Sequence, residues 1–118
     1  MSRPTRYKKS TRYYSSRQEN LIAKELGGKR QPNSGAAMFA KGDVQLDDWL
    51  IEAKTKTSPS ESMTIKRNWL EKNEEEAFAM GKQHSALIFD FGDTHYPQEY
   101  VVITLEEFKR LLEGNKHD

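Results

Sequence analysis

DVQLDDWLIEAK, at residues 43–54, is the stretch that decides the predicted fold. Its apolar and polar side chains alternate on both sides of Asp47-Asp48, and a period of two is typical of β-strands with one buried face. The stretch therefore predicts a β-hairpin with Asp47-Asp48 as a two-residue turn, although Asp-Asp is a weaker turn pair than Asn-Gly. In this register Val44 faces Ile51, and the next pair outward consists of two acidic residues.

Asp43 and Glu52 form that outer pair, on one face of the predicted hairpin. Directly opposed residues have Cβ atoms roughly 4.5–5.5 Å apart, so the two carboxylates repel each other unless a cation lies between them. Carboxylate oxygens suit hard cations such as Mg²⁺ or Mn²⁺. Lys54 shares the face of Glu52, and its ammonium group can position a water or stabilise charge on a phosphate. The pattern indicates a metal-dependent phosphodiester-cleaving site; the alternative is a hydrated strand face whose charges have no catalytic role.

Helices and further strands are predicted on either side of the hairpin. Overlapping capping boxes at residues 15–19 predict the start of a first helix, in which Leu21, Ile22 and Leu26 are the expected buried residues. Glycines follow the first two helices and are expected to end them. The predicted helices cover residues 15–26, 62–80 and 104–114, the further strands cover residues 86–89 and 100–103, and residues 29–42 are mainly loop with room for one short strand. This order predicts an α/β domain with a mixed β-sheet flanked by α-helices.

The composition places limits on the class of protein. The chain has 118 residues, 35% of them hydrophobic and 31% charged, which suits one domain with a modest core. It contains no cysteine, which excludes disulfide bonds and a thiolate zinc site. Its apolar runs are too short for a membrane span or a secretory signal. The expected location is therefore the cytoplasm, that of a host cell if the chain is encoded by a phage.

The net charge of +1 conceals an uneven distribution, because residues 1–17 contain six basic residues and no acid. Three tyrosines lie among these basic residues, so the segment can contact phosphates and stack on nucleobases. Residues 1–14 are predicted to be a basic, flexible arm ahead of a single domain at residues 15–118; the alternative is a tail that only aids solubility. The candidate DNA contacts are Arg3, Arg6, Lys8, Lys9, Arg12 and Arg17 at this end of the chain, followed by Lys29, Arg30, Lys41, Lys66 and Arg67.

The motif residues resemble a known superfamily. Gly42-Asp43, followed by Glu52-Ala53-Lys54, resembles the P-D…(D/E)-x-K motif of the restriction-endonuclease-like nucleases, with glycine at the position of the proline. The order of features resembles archaeal-type Holliday-junction resolvases: a helix with Glu19, a loop with Asn33-Ser34-Gly35, the hairpin, and a helix that starts at Lys66-Arg67. The resemblance covers roughly residues 15–90, and the order of the features supplies most of its specificity because the motif itself is short.

This resemblance implies a restriction-endonuclease-like fold and an endonuclease that uses Mg²⁺ or Mn²⁺ to cut four-way DNA junctions as a homodimer. Glu19 would be a further metal ligand or would support one; Glu25 is the rival for this role, and a capping contact with Ser16 is the simpler alternative. Ser34 would lie near the scissile phosphate, unless it only forms a turn.

The same residues leave other functions open. The alternatives are a flap, single-strand or restriction-type nuclease of the same fold, and a non-catalytic DNA-binding subunit.

Resolution of a four-way junction requires two symmetric cuts and therefore two active sites, and a C2 homodimer supplies them. The candidate dimer contacts surround Trp69, Phe78 and Tyr100, although the stretch after Ile103 is short for dimerisation elements.

Overall fold

The computed structural model describes residues 11–30, 43–93, 95 and 98–114. These residues form three helices and five strands, and no helix among them is long and apolar enough to cross a membrane. The elements in chain order are α1 (Thr11–Leu26), β1 (Lys29–Arg30), β2 (Val44–Gln45), β3 (Trp49–Lys54), α2 (Arg67–Ala79), β4 (His84–Phe89), β5 (Tyr100–Val102) and α3 (Leu105–Gly114).

The five strands form one mixed sheet in the order β1-β2-β3-β4-β5. β3 and β4 are parallel, and the other neighbouring pairs are antiparallel. Parallel neighbours need a crossover connection, and α2 provides it between β3 and β4. The prediction of an α/β fold with a mixed sheet and flanking helices is therefore confirmed.

The hairpin has the register that its alternation predicts. Val44 pairs with Ile51, and the Leu46 N–H donates to the Trp49 carbonyl at 2.9 Å across the two-residue turn. Asp43 departs from this ladder, because its N–H donates at 2.8 Å to the carbonyl of Ile51, which is already the partner of Val44. Regular pairing thus ends one residue before the predicted pair of acids.

The two faces of the sheet are covered by different helices. Ile22 of α1 packs with Val44, Ile51, Ala86 and Ile88 on the first face. These residues alternate along their strands with the residues of the opposite face, so each strand contributes to both. α1 therefore closes the apolar core on one side of the sheet.

α2 covers the opposite face, where Leu50 and Leu87 are completely buried. Asn73 of α2 is 3% exposed, and its Nδ2 donates to one backbone carbonyl of β3 and one of β4, each at 3.2 Å. Glu52 and Lys54 share the parity of Leu50, so they lie on the α2 face of the sheet.

The first helix differs from its prediction at the start. α1 includes residues 11–14, which were assigned to the arm, so Ser15 and Ser16 lie inside the helix and the predicted capping boxes are wrong. The Oγ of Ser16 instead accepts a hydrogen bond from Arg30 Nη2 at 3.4 Å. A capping pattern reports only local sequence, whereas this contact joins α1 to β1.

The buried side of α1 also differs from its prediction. Ile22 is buried as expected, but Leu21 is 38% exposed and Leu26 is 50% exposed. Gln18 is buried in their place, and its Nε2 donates to the carbonyl of Lys54 at 2.7 Å. Gln18 and Ile22 are four residues apart and share one face of the helix. The end of β3 stabilises this buried glutamine by accepting its hydrogen bond.

The second helix starts five residues later than predicted. Lys66 precedes α2 in an extended conformation, with φ −85° and ψ 132°. Thr64 and Ile65 are β-branched and disfavour helix, which explains the late start. The end of α2 is as predicted, because Gly81 adopts a positive φ of 76° that other residues rarely tolerate.

Candidate active site at the hairpin

Asp43 lies at the open end of the hairpin, beside β3. Its Oδ2 accepts a hydrogen bond from the N–H of Ala53 at 2.7 Å, which fixes the carboxylate against the strand. Burial raises the pKa of Asp43, while the Ala53 N–H and the Lys54 ammonium lower it. Asp43 is thus a desolvated carboxylate that is held in one orientation by the backbone.

Glu52 lies on the α2 face of β3, next to Lys54. Its Oε2 is 3.3 Å from the Lys54 Nζ, and the side chains are 22% and 30% exposed, respectively. Burial, followed by the charge of Asp43, raises the pKa of Glu52 to about 7, although Lys54 lowers it. The two carboxylates therefore repel each other although they lie outside the regular ladder, and one ammonium only partly compensates.

Lys54 is held in place by an aromatic ring as well as by Glu52. Its Nζ lies 4.3 Å from the ring centroid of Trp69, and the Nζ of Lys66 lies 5.8 Å from the same centroid. Ammonium groups are attracted to the face of an aromatic ring. Trp69 is therefore a positioning residue for Lys54. The topology could have revealed it, since a helix that follows a parallel strand begins near the carboxyl end of that strand.

Glu19 reaches the same cluster from α1. Burial, followed by the charge of the nearby Asp43 carboxylate, raises the pKa of Glu19, while Arg30 lowers it. The structure thus brings Glu19 to the hairpin, whereas Glu25 lies exposed on α1. Of the two rival acids, Glu19 is the one that joins the site.

Arg30 has a role that its sequence position does not reveal. It was a candidate phosphate contact, but its Nη2 lies 3.0 Å from Oε1 of Glu19, and its Nε donates to the same oxygen at 3.1 Å. A guanidinium group suits this two-point contact with a carboxylate. Arg30 consequently orients Glu19 and offsets the acidic charge at this side of the site.

The start of α2 provides an electropositive surface next to Lys54. Its first turn has no acidic residue, and Lys66 at the N-cap position makes no side-chain capping bond. Uncapped N–H groups and the helix dipole favour anions at such a terminus. Lys66 and Arg67 flank this terminus, and Arg67 is exposed while it pairs with Glu71 at 3.0 Å. A phosphate group between this terminus and Lys54 would be electrostatically favoured.

The other predicted cations are spread over the surface or lie beyond the described ranges. Arg12 and Arg17 lie on α1, and Lys29 is exposed on β1. Arg17 lowers the pKa of Glu99 in a second acidic group at the carboxyl ends of β3 and β4. Six of the residues predicted to contact DNA or to form the site lie outside the described part of the chain: Arg3, Arg6, Lys8, Lys9, Ser34 and Lys41.

The donor set suits a hard divalent cation that keeps part of its water shell. Within residues 11–30, 43–93, 95 and 98–114, no three acidic or histidine side chains converge on a ready-made metal site. Mg²⁺, however, usually takes one or two carboxylates, several waters and substrate phosphate oxygens. Asp43 and Glu52 supply the two carboxylates, and burial raises the pKa of each.

We expect Glu52→Gln to stabilise the metal-free protein at pH 8 by about 1–2 kcal/mol. The pKa of Glu52 is raised from 4.5 to about 7, so the folded state holds this proton more tightly than the unfolded state. The resulting penalty is absent below pH 4.5, grows as pH rises to about 7, and is complete above it. Urea unfolding in EDTA at pH 4 and pH 8 measures the difference. Exposed Glu75→Gln is the control, and an equal effect of both substitutions at pH 8 would contradict the burial of a repulsive pair.

Comparison of the chain with protein-family models, with curated proteins and with solved structures finds no significant match. The candidate active site is defined by the side chains that the fold brings together. β2 and β3 position Asp43, Glu52 and Lys54, while α1 adds Glu19 and α2 adds Trp69 as a support for Lys54.

Proposed function

We propose that the chain is a metal-dependent endodeoxyribonuclease of the restriction-endonuclease-like fold. One observation carries the proposal: two desolvated carboxylates, Asp43 and Glu52, lie beside the Lys54 ammonium, which is 3.3 Å from Glu52. Carboxylates that bind a hard cation, next to a positioned ammonium, are the parts that phosphodiester hydrolysis requires. The uncapped start of α2 supports the proposal, because it favours the phosphate of the substrate.

Each residue has a distinct task in this mechanism. Asp43 and Glu52 would hold Mg²⁺ or Mn²⁺, which when bound polarises the phosphate and activates water. Lys54 donates its N–H groups to a phosphate oxygen and stabilises the charge that develops as the water oxygen bonds to phosphorus. The water loses a proton to solvent, the P–O bond to the departing sugar oxygen breaks, and that oxygen takes up a proton from solvent. The Ala53 N–H fixes Asp43, and Glu19, held by Arg30, supports it from α1.

A supercoiled plasmid tests this activity directly. We expect Mg²⁺ or Mn²⁺ to allow conversion of the plasmid to nicked and linear forms, and EDTA to prevent it. Without a cation between them, the two carboxylates repel the phosphate instead of binding it. Undiminished cleavage in EDTA would exclude a metal-dependent mechanism. Tight DNA binding without cleavage in either metal would favour the alternative of a non-catalytic DNA-binding subunit.

The substrate proposed is the four-way DNA junction, and the likeness of the motif order to junction resolvases supports it. A flap, single-strand or restriction-type nuclease is the alternative on the same site. The six basic side chains of residues 1–17 and those of Lys66 and Arg67 near α2 would contact the DNA backbone. Paired cuts on opposing strands require two active sites, so this substrate implies a homodimer.

An exposed apolar helix face supports such a dimer. On α3, Leu105 is 82% exposed, and Phe108, Leu111 and Leu112 are 46–49% exposed. Contiguous apolar surface of this kind marks interaction sites. This face is a better dimer contact than Trp69, which is half-buried beneath Lys54.

The dimer and its substrate preference form one prediction. We expect light scattering to give about twice the 13.7 kDa of the chain, and gel shifts in EDTA to show at least roughly tenfold tighter binding of a junction than of a linear duplex. Phe108→Glu should give a monomer, because it places a charge in the apolar face. Phe78→Glu on α2 tests the dimer contact predicted from the sequence, and it should leave the dimer intact. A wild-type monomer, or equal affinity for the two DNAs, would favour the general-nuclease alternative.

A further inference from the structure

Three aromatic side chains form a cluster at the carboxyl end of β4. Phe89 and Tyr100 are stacked, with ring centroids 5.5 Å apart and an interplanar angle of 25°. Phe91 meets both rings edge-on, at 5.3 Å from Phe89 and 5.6 Å from Tyr100. Tyr100 is nevertheless 44% exposed, so the cluster presents an aromatic surface to solvent.

This cluster lies on the same face of the sheet as the candidate active site. Lys54 pairs with Phe89 across β3 and β4, and Phe89 pairs with Tyr100 across β4 and β5. Paired residues of neighbouring strands project to the same side, and the strands are about 4.8 Å apart. Tyr100 is therefore two strands from Lys54, or roughly 10 Å across the sheet.

A cavity of about 560 Å³ borders the cluster. Phe91 and Tyr100 provide its aromatic wall, and Glu61, Asp93 and Gln98 provide polar groups. Small-molecule sites are typically apolar cavities of roughly 300–1,000 Å³ with a few polar groups that fix orientation. The volume is in this range, and the aromatic wall beside polar groups suits a flat, partly polar group.

The charges of the cavity favour a base over a phosphate. Its described lining includes the carboxylates Glu61 and Asp93 and the imidazole of His95 but no lysine or arginine, so it disfavours a phosphate group. Carboxylate and amide oxygens accept hydrogen bonds from the amino groups on the edge of a nucleobase. Bases stack on aromatic side chains whatever their identity, because each has a π face.

We propose that this cavity binds an unpaired nucleobase of the substrate strand, stacked on Tyr100 and Phe91, while a phosphate of that strand lies at Lys54. The proposal rests on the function proposed above. At 3.4 Å per stacked nucleotide, the distance across the sheet corresponds to roughly three nucleotides. A paired base cannot enter the cavity, so the substrate must present an unpaired base near the cleaved bond, as a flap or a single strand does and as a four-way junction does where its branch point opens.

Binding of fluorescently labelled single-stranded and duplex 12-mers, measured in EDTA to prevent cleavage, tests this proposal. Tyr100→Leu should weaken single-strand binding by roughly 5- to 100-fold, as expected for loss of one stacked base, and leave duplex binding unchanged. Tyr100→Phe should retain single-strand affinity because it keeps the ring. Phe78→Leu is the control, since Phe78 is 85% exposed on α2 and lies outside the cluster.

A change in the DNA keeps the test valid even if a Tyr100 variant folds poorly. In duplexes that carry a short single-stranded overhang, the junction with the duplex fixes the register, so one abasic nucleotide at successive overhang positions should weaken binding to wild-type protein at one or two positions only. Uniform binding across that series, or normal single-strand affinity of a folded Tyr100→Leu, would overturn the cavity assignment. The plasmid assay is independent of this test. Base binding without metal-dependent cleavage would retain the cavity proposal and reject the nuclease function. Metal-dependent cleavage without base binding would retain the nuclease function and reject the cavity proposal.

Discussion

Asp43→Asn and Glu52→Gln are each expected to reduce Mg²⁺-dependent DNA cleavage by roughly 10³-fold or more, which corresponds to loss of about 4 kcal/mol of transition-state stabilisation. Each substitution removes the charge of one proposed metal ligand with almost no change in size. Initial rates of plasmid nicking at saturating Mg²⁺ measure the effect. DNA binding in EDTA should be retained, because neither carboxylate attracts the phosphate backbone.

The stability of the same variants separates a lost ligand from a lost fold. Glu52→Gln is expected to be more stable than the wild type at pH 8 in the absence of metal, because its charge is desolvated and faces Asp43. An inactive but stabilised protein identifies the carboxylate as a functional group. Glu75→Gln on the exposed side of α2 should leave cleavage unchanged. Full activity of Asp43→Asn or of Glu52→Gln would exclude the substituted carboxylate as a required metal ligand.

Lys54→Met is expected to lower kcat by roughly 10²- to 10³-fold with little change in KM, a loss typical of removing one charge-stabilising donor. Methionine keeps the length and apolar stem of the side chain but has no N–H groups for the developing charge. Steady-state kinetics on a labelled DNA substrate gives the two constants separately. Lys54→Arg should recover only part of the rate, since the guanidinium group has a different shape.

The control for Lys54 is an exposed lysine on α2. Lys72→Met on α2 removes an equal charge from an exposed position, so it should alter DNA binding slightly and kcat not at all. If Lys54→Met raises KM and leaves kcat unchanged, Lys54 is a cation that binds DNA equally in the ground and transition states. The metal ligands would then have to act without it.

Local sequence determined the hairpin, the carboxyl ends of α1 and α2, and the start of α3. Alternation with a period of two set the pairing of Val44 with Ile51 and placed Glu52 and Lys54 on one face, because successive side chains of a strand point to opposite sides. Gly27 and Gly81 ended their helices with φ of 73° and 76°, which only glycine adopts without strain. Thr104 capped α3 by accepting the N–H of Glu107 at 3.0 Å. Each of these features depends on residues within a few positions of one another.

Only the tertiary structure decided which distant residues meet at the site. The sequence left Glu19 and Glu25 as rivals, and the packing of α1 through Gln18 and Ile22 brought Glu19 to Asp43. The same packing paired Arg30 with Glu19, and the crossover between β3 and β4 brought α2 over Lys54. These contacts depend on the surface that each helix covers, and that choice balances burial and hydrogen bonding over the whole domain. A short-range pattern contains no record of that balance, so it identified the residues of the hairpin but not the residues that support them.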